Sequence, residues 1–290
     1  MNQLTIALKA REFIREFELD EVPAPVEAYA EHASAGIRID FDLADDESGY
    51  TMQHGSRIQI HVNGNHSQER QRFTICHELG HIVLGLRTEH ENCGWWSYKG
   101  RPENEVFCDI FAAELLLPIH LFKSRLNSGG LGFHEIEELA GQFQASLPCT
   151  ASRYASAIDI PCAYVLSENG RVRFVERSAK LRDVGAWIPL RSALPPSSIS
   201  ARVREGNTLA GLMEISADEW FDGWGSEFTA FEDTRHLEKW DQTLSLLWLD
   251  EDICELPVGR ARLNNSQRTE DVGLEELDGV LPWPGKRRRR

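Results

Sequence analysis

The first 120 residues combine two patterns of apolar positions, one typical of helices and one typical of strands. Apolar residues recur every three or four positions over 11–35, 67–86 and 102–117, which predicts amphipathic helices there. Over 37–41 and 57–63, apolar and polar residues alternate one by one, which predicts strands with one buried face. This order of segments predicts a mixed α+β fold for the N-terminal half of the chain.

The pattern changes after a glycine-rich stretch at 127–132. Two short helical patterns follow at 135–143 and 150–157, and their spacing resembles a helix-turn-helix. The remainder contains short β-type runs and an Asn-Gly turn signal, which predicts a β-rich domain. The predicted strands are 163–166, 172–175, 187–190 and 244–249. The predicted domains are 1–126, a helical segment over 127–160 and a β-rich C-terminal domain over 161–290.

Composition and charge indicate an ordinary globular protein of the cytoplasm. The N-terminus lacks the apolar core of a secretory signal, and no apolar run approaches the roughly 20 residues that cross a bilayer. The six cysteines are widely spaced and form no C-x-x-C pair, which is typical of reduced thiols. The net charge of −15 argues against a surface that binds nucleic acid as a whole. The basic tail, 286–290, is interpreted as a solvated end, with binding to nucleic acid or an acidic partner as the alternative.

Residues 77–81 read H-E-L-G-H and match the pattern H-E-x-x-H inside the predicted helix 67–86. Residues four apart lie on one helical face, so the imidazoles of His77 and His81 can bind one zinc ion. Catalytic zinc sites use three protein ligands and leave a fourth position for water. Glu78 lies about 100° round the helix from His77, where it can take a proton from that water. Because so short a motif also arises by chance, a third ligand is the test of this prediction.

The third ligand is predicted on the next helix. A ligand set with a third histidine is excluded, because Leu84 and Arg87 occupy the positions of Gly and His in H-E-x-x-H-x-x-G-x-x-H. On the helix 102–117, Glu105 and Asp109 stand four residues apart on one face. Glu105 is the predicted ligand, and Asp109 is predicted to accept the other ring N–H of a ligating histidine. The predicted cofactor is one Zn²⁺ ion, with Mn²⁺ as the alternative.

These two segments resemble the ImmA/IrrE family of metallopeptidases. The residues that carry the resemblance are 72–81, RFTICHELGH, and 105–118, EVFCDIFAAELLLP. The resemblance covers about residues 20–160. Cys76 and Cys108 depart from it, because they stand where small residues such as alanine are usual. Free cysteines inside helices most often act as small buried apolar residues, and we interpret both in that way.

The resemblance implies a fold and a function that spacing alone does not indicate. It implies a zincin-like catalytic domain over 1–126 and a C-terminal domain with a sensory role. It also implies a cytoplasmic peptidase that cuts a helix-turn-helix transcriptional repressor and so relieves repression during stress or mobile-element induction. The motifs by themselves predict only zinc-dependent hydrolysis.

The strand that precedes the H-E-x-x-H helix is a candidate for substrate binding. In zinc peptidases of this architecture a strand beside the active helix pairs with extended substrate backbone. We interpret residues 57–62 as this strand, with Arg57, Gln59 and His61 as the substrate-binding residues. An ordinary strand inside the sheet is the alternative interpretation.

Three residues are weaker candidates for an extra ligand or for stabilising an oxyanion. They are His90, Tyr98 and His120. An exposed loop residue is the alternative for each of them.

Two other functions compete with the peptidase. A zinc-containing regulator that does not cut would keep its biological effect after the substitution Glu78→Gln. A DNA-binding factor would use residues 135–157 and the basic tail, but the second helix offers only Arg153 as a basic residue. We therefore interpret that segment as a packing or partner-docking element, and direct DNA binding stays open.

Overall fold

The computed structural model describes residues 2–16, 21–87, 102–126, 131–207 and 211–249. These residues form a mixed α+β fold with two sheets. The α-helices are α1 (Gln3–Glu16), α2 (Val26–His32), α3 (Gln68–Leu84), α4 (Glu103–Leu116), α5 (Ile119–Lys123), α6 (Phe133–Phe143), α7 (Leu147–Ala157), α8 (Ala179–Asp183) and α9 (Ile199–Arg204). The strands are β1 (Ala35–Asp40), β2 (Gly49–His54), β3 (Arg57–Asn63), β4 (Cys162–Glu168), β5 (Arg171–Arg177), β6 (Met213–Ser216), β7 (Thr229–Leu237) and β8 (Gln242–Leu249). No helix in the described ranges is long and apolar enough to span a membrane.

The first sheet has three strands in the order β1-β3-β2. β1 runs parallel to β3, and β2 runs antiparallel to it. Ile60 and Val62 of β3 are fully buried and belong to the core that the helices cover. The sequence does not predict β2, because its polar and apolar residues lie on the faces opposite to the usual ones. The polar Thr51 lies on the face toward α3, whereas Tyr50 and Met52 lie on the opposite face.

The two helices that carry the motifs begin and end close to the predicted residues. Ser67 precedes α3, and its hydroxyl accepts a hydrogen bond from the Arg70 amide at 3.4 Å, as a helix N-cap does. α4 ends at Leu116, two residues before Pro118, which has no amide hydrogen to continue the helix. Local capping and apolar periodicity therefore account for both helices.

The second sheet is antiparallel, with the order β5-β4-β8-β7-β6. Its contacts with the preceding helices are specific. The amide of Phe133, at the start of α6, donates to Asp233 of β7 at 2.8 Å. Arg235 of β7 forms an ion pair with Glu137 of α6 at 2.7 Å. α7 packs against β4 and β5. The helical pair α6–α7 therefore lies against the C-terminal sheet.

Alternate residues of the central strands β4 and β8 face two different cores. Tyr164, Leu166 and Leu246 pack with the N-terminal helices in the first core. Val165 and Leu247 point the other way and join a second core that contains Trp220 and Trp224. The first core is thus continuous from α1 to one face of the second sheet. The division of the chain at 126 and 160 stays a prediction.

Two predictions of secondary structure are corrected by the fold, and two strands of the second sheet were not predicted. The helix predicted over 11–35 is two helices, since α1 already begins at Gln3 and α2 begins at Val26 after two prolines. Residues 187–190 form no strand, and Trp187 makes only an isolated bridge to Asp222. The strands β6 and β7 lacked a clear alternation, because β7 is buried on both faces over much of its length.

Candidate metal centre and active site

The two predicted motifs meet where α3 packs along α4. Nε2 of His77 lies 3.2 Å from Nε2 of His81 and 3.0 Å from Oε2 of Glu105. Nε2 of His81 lies 3.5 Å from Oε1 of the same carboxyl group. All three side chains are buried. Within the described part of the chain, they form a group whose ligand atoms are close enough together to hold one metal ion.

The spacing of these atoms fits zinc. Protein nitrogen and oxygen ligands lie about 2.0–2.2 Å from zinc, so two ligands at a tetrahedral angle are about 3.3–3.6 Å apart. The separations of 3.0, 3.2 and 3.5 Å differ from that value by small amounts. Three protein ligands leave one tetrahedral position for water or a substrate oxygen. The donor set therefore suits a catalytic rather than a structural zinc site.

The second ring nitrogen of each histidine has an acceptor beside it. Nδ1 of His77 lies 2.8 Å from Oδ1 of Asp109, and Nδ1 of His81 lies 3.3 Å from the carbonyl oxygen of Leu86. A carboxylate and a carbonyl oxygen only accept hydrogen bonds, so Nδ1 carries the hydrogen in both rings. When a metal ion is bound, Nε2 of each ring would be the atom that ligates it. Asp109 occupies the place that its sequence spacing predicts.

The end of α3 supplies the carbonyl that holds His81. Gly85 follows the last helical residue with φ of 66°, a left-handed conformation that favours glycine. The amides of Gly85 and Leu86 donate to the carbonyl oxygens of Ile82 and His81, the Schellman pattern of a helix end. This turn brings the Leu86 carbonyl back to the His81 ring. The hydrogen-bond acceptor beside His81 is therefore positioned by the way in which α3 ends.

Small residues allow the two helices to approach each other. A Cβ atom at Gly80 would lie 3.0 Å from Cα and 3.1 Å from Cβ of Cys108, which is closer than side chains ordinarily pack. Gly80 stands directly before His81, and Cys108 stands directly before Asp109. The point of closest approach therefore lies beside the ligands, and it sets their separation.

The site is rich in negative charge. Burial alone lowers the pKa of His77, but hydrogen bonds with Asp109 and Glu105 outweigh burial and raise that pKa to about 10. The charge of Glu78 acts in the same direction. Buried carboxylates around two imidazoles favour a positive charge between them, and a divalent cation meets that preference.

Glu78 lies beside the ligands without belonging to the ligand group. Its carboxyl group is 1% exposed, and Oε2 accepts a hydrogen bond from the hydroxyl of Thr51 at 2.7 Å. Thr51 belongs to β2, which the sequence did not predict. A single threonine in a polar stretch carries no sequence signal of its own. Thr51 and the Leu86 carbonyl are therefore the site contacts that sequence reasoning missed.

The predicted role of β3 in substrate binding is wrong. β3 lies between β1 and β2, so both of its edges already form backbone hydrogen bonds and neither can pair with a peptide. Arg57, Gln59 and His61 also point away from α3, because Ile60 and other alternate residues of the strand face the core. His61 instead stacks on Tyr50, with ring centroids 4.6 Å apart. The alternative interpretation, a strand inside the sheet, is correct.

The other candidate residues lie either outside the ligand group or outside the described residues. His120 is exposed on α5. His90, Tyr98 and the basic tail lie outside the described residues. Arg153 of α7 is largely buried, and its guanidinium lies 3.0 Å from Oε2 of Glu114. An arginine in this position contacts α4 and is not presented for reading DNA bases.

The interpretation of Cys76 and Cys108 as buried apolar residues is confirmed. Both thiols are fully buried and form no disulfide, and neither do the buried Cys162 and the partly exposed Cys149. Burial raises the pKa of the Cys76 thiol, so this residue stays protonated and unreactive.

The fold and the site together define a class of protein. A helix with H-E-x-x-H, packed against a helix that supplies a carboxylate, is the arrangement of zinc metallopeptidases with two histidine ligands and one glutamate. Residues 33–153 match the IrrE N-terminal-like domain of the peptidase M78 family. Over these residues the chain is similar to that metallopeptidase domain.

Two curated relatives share the name radiation response metalloprotease IrrE. The chain is 28% identical to that of Deinococcus radiodurans over 167 residues, which are 55% of this chain and 48% of the relative. It is 32% identical to that of Deinococcus deserti over 135 residues, which are 43% of this chain and 44% of the relative. The chain thus spans about half the length of the curated relatives that it matches.

A solved structure extends the likeness of the fold beyond residues 33–153. A Mycobacterium tuberculosis transcriptional regulator superposes with a TM-score of 0.54 over 89% of this chain and 82% of its own, at 11% identity. At this identity the similarity concerns the fold.

Proposed function

We propose that this protein is a zinc-dependent endopeptidase with His77, His81 and Glu105 as the metal ligands and Glu78 as the general base. The observation that carries the proposal is the buried group of two imidazoles and one carboxylate, with atom separations that suit tetrahedral zinc. Asp109 acts behind the ligands, because it orients His77 through Nδ1. Mn²⁺ is the alternative ion at the same site.

Each residue of the proposed site has a separate role in peptide hydrolysis. A bound zinc ion would supply Lewis acidity, which lowers the pKa of water to about 7 and polarises a peptide carbonyl. Glu78 accepts a proton from the attacking water and later donates that proton to the leaving amine. Its burial excludes bulk water that would otherwise compete for the carboxylate. Nδ1 of His77 and Nδ1 of His81 face oxygen acceptors, so Nε2 of each ring would be the atom that holds the ion.

The substrate is proposed to pair with the outer edge of β2. The amide of Asn63 donates to the carbonyl oxygen of Ser48, and hydrogen-bonded pairs alternate along an antiparallel ladder. Thr51 and Gln53 therefore direct their N–H and C=O groups away from β3. No strand pairs with that edge among the described residues. An extended peptide added there would lie beside Glu78, which contacts the same strand.

We propose a protein substrate, namely a helix-turn-helix transcriptional repressor whose cleavage relieves repression during stress. The name of the two relatives, radiation response metalloprotease, supports a role in a stress response. The location proposed for this reaction is the cytoplasm, in keeping with the free cysteines of the described part of the chain. The C-terminal part, 161–290, is proposed to sense the signal, and α6–α7 to connect it with the catalytic part.

Co-incubation with a helix-turn-helix repressor, chosen from the neighbouring genes where one of them encodes it, tests the function. Wild type with zinc is expected to cut it, whereas Glu78→Gln is expected to keep zinc and lose about 100- to 10,000-fold in kcat/KM, because the general base is absent. His77→Ala is expected to lose both zinc and cleavage. Cleavage is followed by mass spectrometry and zinc by atomic absorption.

The same experiment separates the competing functions. A regulator that acts without cutting keeps its effect on transcription in Glu78→Gln, and that result would contradict the peptidase. Salt-sensitive binding of duplex DNA, lost on removal of the basic tail, would support a DNA-binding factor instead.

A further inference from the structure

We propose that Thr51 is a positioning residue for the general base: its hydroxyl holds Glu78 in the orientation that proton transfer requires. The proposal rests on the function proposed above, since it assigns Glu78 that role. The direct observation is the hydrogen bond of 2.7 Å from Oγ1 of Thr51 to Oε2 of Glu78, across 27 residues of sequence. A hydroxyl donor beside a buried carboxylate forms a charge-assisted bond, which is shorter and stronger than a neutral one.

A glycine in β2 allows the strand to approach α3 closely enough for this contact. Gly49 lies two residues before Thr51, on the same face of the strand. A Cβ atom at Gly49 would lie 2.7 Å from Cγ2 of Thr74 and 2.4 Å from the carbonyl oxygen of His61. Only glycine therefore lets the strand come this close to the helix.

The repeat distances of the strand and the helix match at this contact. From Gly49 to Thr51 the strand advances about 6.7 Å, and from Thr74 to Glu78 the helix advances about 6 Å. The close contact at Gly49 and Thr74 thus places Thr51 one helical turn further on, at Glu78. The register of strand and helix, and not a flexible side chain, brings the hydroxyl to the carboxylate.

The contact links substrate binding with the base. The backbone of Thr51 faces the outer edge of β2, where the substrate is proposed to pair, and its side chain faces Glu78. Oε2 of Glu78 accepts the hydrogen bond of the threonine hydroxyl, so the orientation of the carboxyl group is restrained. Thr51 itself exchanges no proton with the substrate, so it acts through Glu78.

Three variants test this role in the full-length, zinc-loaded protein. Thr51→Val keeps the shape of the side chain and removes the donor, and Thr51→Ser keeps the donor. Thr74→Val is the matched control: it removes a hydroxyl at the same strand–helix contact, but that hydroxyl bonds to the carbonyl oxygen of Arg70 in its own helix. A mixed decapeptide library, read by mass spectrometry, serves as the substrate probe, and the best-cleaved peptide is used for steady-state kinetics.

We expect Thr51→Val to lower kcat by about 10- to 100-fold, the usual effect of removing an outer partner of an active-site group. KM and zinc content should stay within about twofold of wild type, because neither the β2 backbone nor the ligands change. Thr51→Ser and Thr74→Val should retain kcat within about threefold, since the donor is present in both. A Thr51→Val enzyme with the kcat of wild type would overturn the proposal, and so would an equal loss in Thr74→Val.

A second measurement does not depend on cleavage. Thr51→Val, Glu78→Gln and the double variant are compared by urea unfolding of the zinc-free protein. The effect of Thr51→Val on the unfolding midpoint should be smaller in the Glu78→Gln background, because a neutral amide accepts a weaker hydrogen bond. Additive effects would contradict the contact. Absence of peptide cleavage by wild type and Glu78→Gln alike would instead refute the peptidase, and the positioning role with it.

Discussion

Among single residues that are not ligands, Gly80 and Cys108 bear directly on the metal geometry. They lie at a close contact of α3 and α4, next to His81 and Asp109 in sequence. The ligand atoms of the two helices are 3.0–3.5 Å apart, so helices farther apart by about 1 Å would place them beyond the spacing of tetrahedral zinc ligands. Cysteine is acceptable at 108 because its small, fully buried side chain packs as alanine would.

The substitution Gly80→Ala is expected to weaken zinc binding. The added Cβ would lie 3.0 Å from Cα of Cys108, so the helices must separate slightly. We expect a loss of about 1–3 kcal/mol in the free energy of unfolding, typical of overpacking, together with a higher Kd for zinc. Urea unfolding of the zinc-free protein and competition with a chromogenic chelator measure the two effects.

Gly141→Ala provides the control for that substitution. Gly141 also lies inside a helix, α6, but a Cβ there would meet nothing within 4 Å. Alanine at this position should stabilise the protein by about 0.5–1 kcal/mol through helix propensity and leave zinc affinity unchanged. Equal effects at positions 80 and 141 would mean that the contact with Cys108 does not set the ligand distance.

At the scale of elements, β2 connects the sheet with the active helix. It is one of the two edge strands of the first sheet, and its side chains are arranged with Thr51 toward α3 and Met52 toward solvent. This reversal of the usual pattern follows from its position, because the residues that face α3 there meet the buried Glu78 and not an apolar core. The strand is thus suited to present backbone groups on one side and a hydroxyl on the other.

Gln53→Pro tests the edge of β2 as the site of substrate pairing. Proline removes an N–H that faces away from β3, and such edge positions tolerate proline. We expect KM for a cleaved peptide to rise by about threefold to tenfold, the effect of one lost backbone hydrogen bond, with zinc content unchanged.

Gln53→Ala is the matched variant for this prediction. It removes the same side chain, including its hydrogen bond to the Gly55 carbonyl oxygen, but keeps the backbone N–H. Its KM should equal that of wild type. If both variants bind the peptide as wild type does, the substrate pairs elsewhere.

In the whole molecule, a buried carboxylate connects the metal helix with elements far apart in sequence. Glu114 of α4 is 2% exposed and pairs with Arg11 of α1 at 2.7 Å and with Arg153 of α7 at 3.0 Å. α7 in turn packs against β4 and β5. The ligand helix is therefore held between the N-terminal helix and the helical segment that contacts the second sheet.

Arg153→Met is expected to destabilise the protein more than Arg11→Met. The Arg153 side chain is 15% exposed and the Arg11 side chain 34%, so the first pair is less screened by solvent. We expect losses of about 2 kcal/mol and about 1 kcal/mol in the free energy of unfolding, because Glu114 keeps one cationic partner in each variant. Thermal unfolding of the two single variants and of the double variant measures this.

The double variant leaves Glu114 buried without either arginine. Its destabilisation should therefore exceed the sum of the two single losses, since an uncompensated buried charge is costly. Strict additivity, or a larger loss in Arg11→Met than in Arg153→Met, would contradict the importance of this buried network.

The sequence alone determined the parts of the site that depend on short-range spacing. His77 and His81, and likewise Glu105 and Asp109, lie four residues apart, and the helical repeat puts each pair on one face whatever surrounds it. Capping by Ser67 and termination at Pro118 are equally local. These features could be predicted because each depends on a few neighbouring residues.

Only the tertiary structure decided which strands are the edges and which residue meets Glu78. β3 carries the clearer alternation, yet β1 and β2 both pair with it, so the edge strand that contacts Glu78 is the less regular β2. The hydrogen bond from Thr51 to Glu78 joins two elements whose separation no periodicity specifies. The arrangement of the second sheet escaped prediction for the same reason. Strand order and register arise from packing between residues far apart in sequence. The sequence alone does not specify which of those residues come into contact.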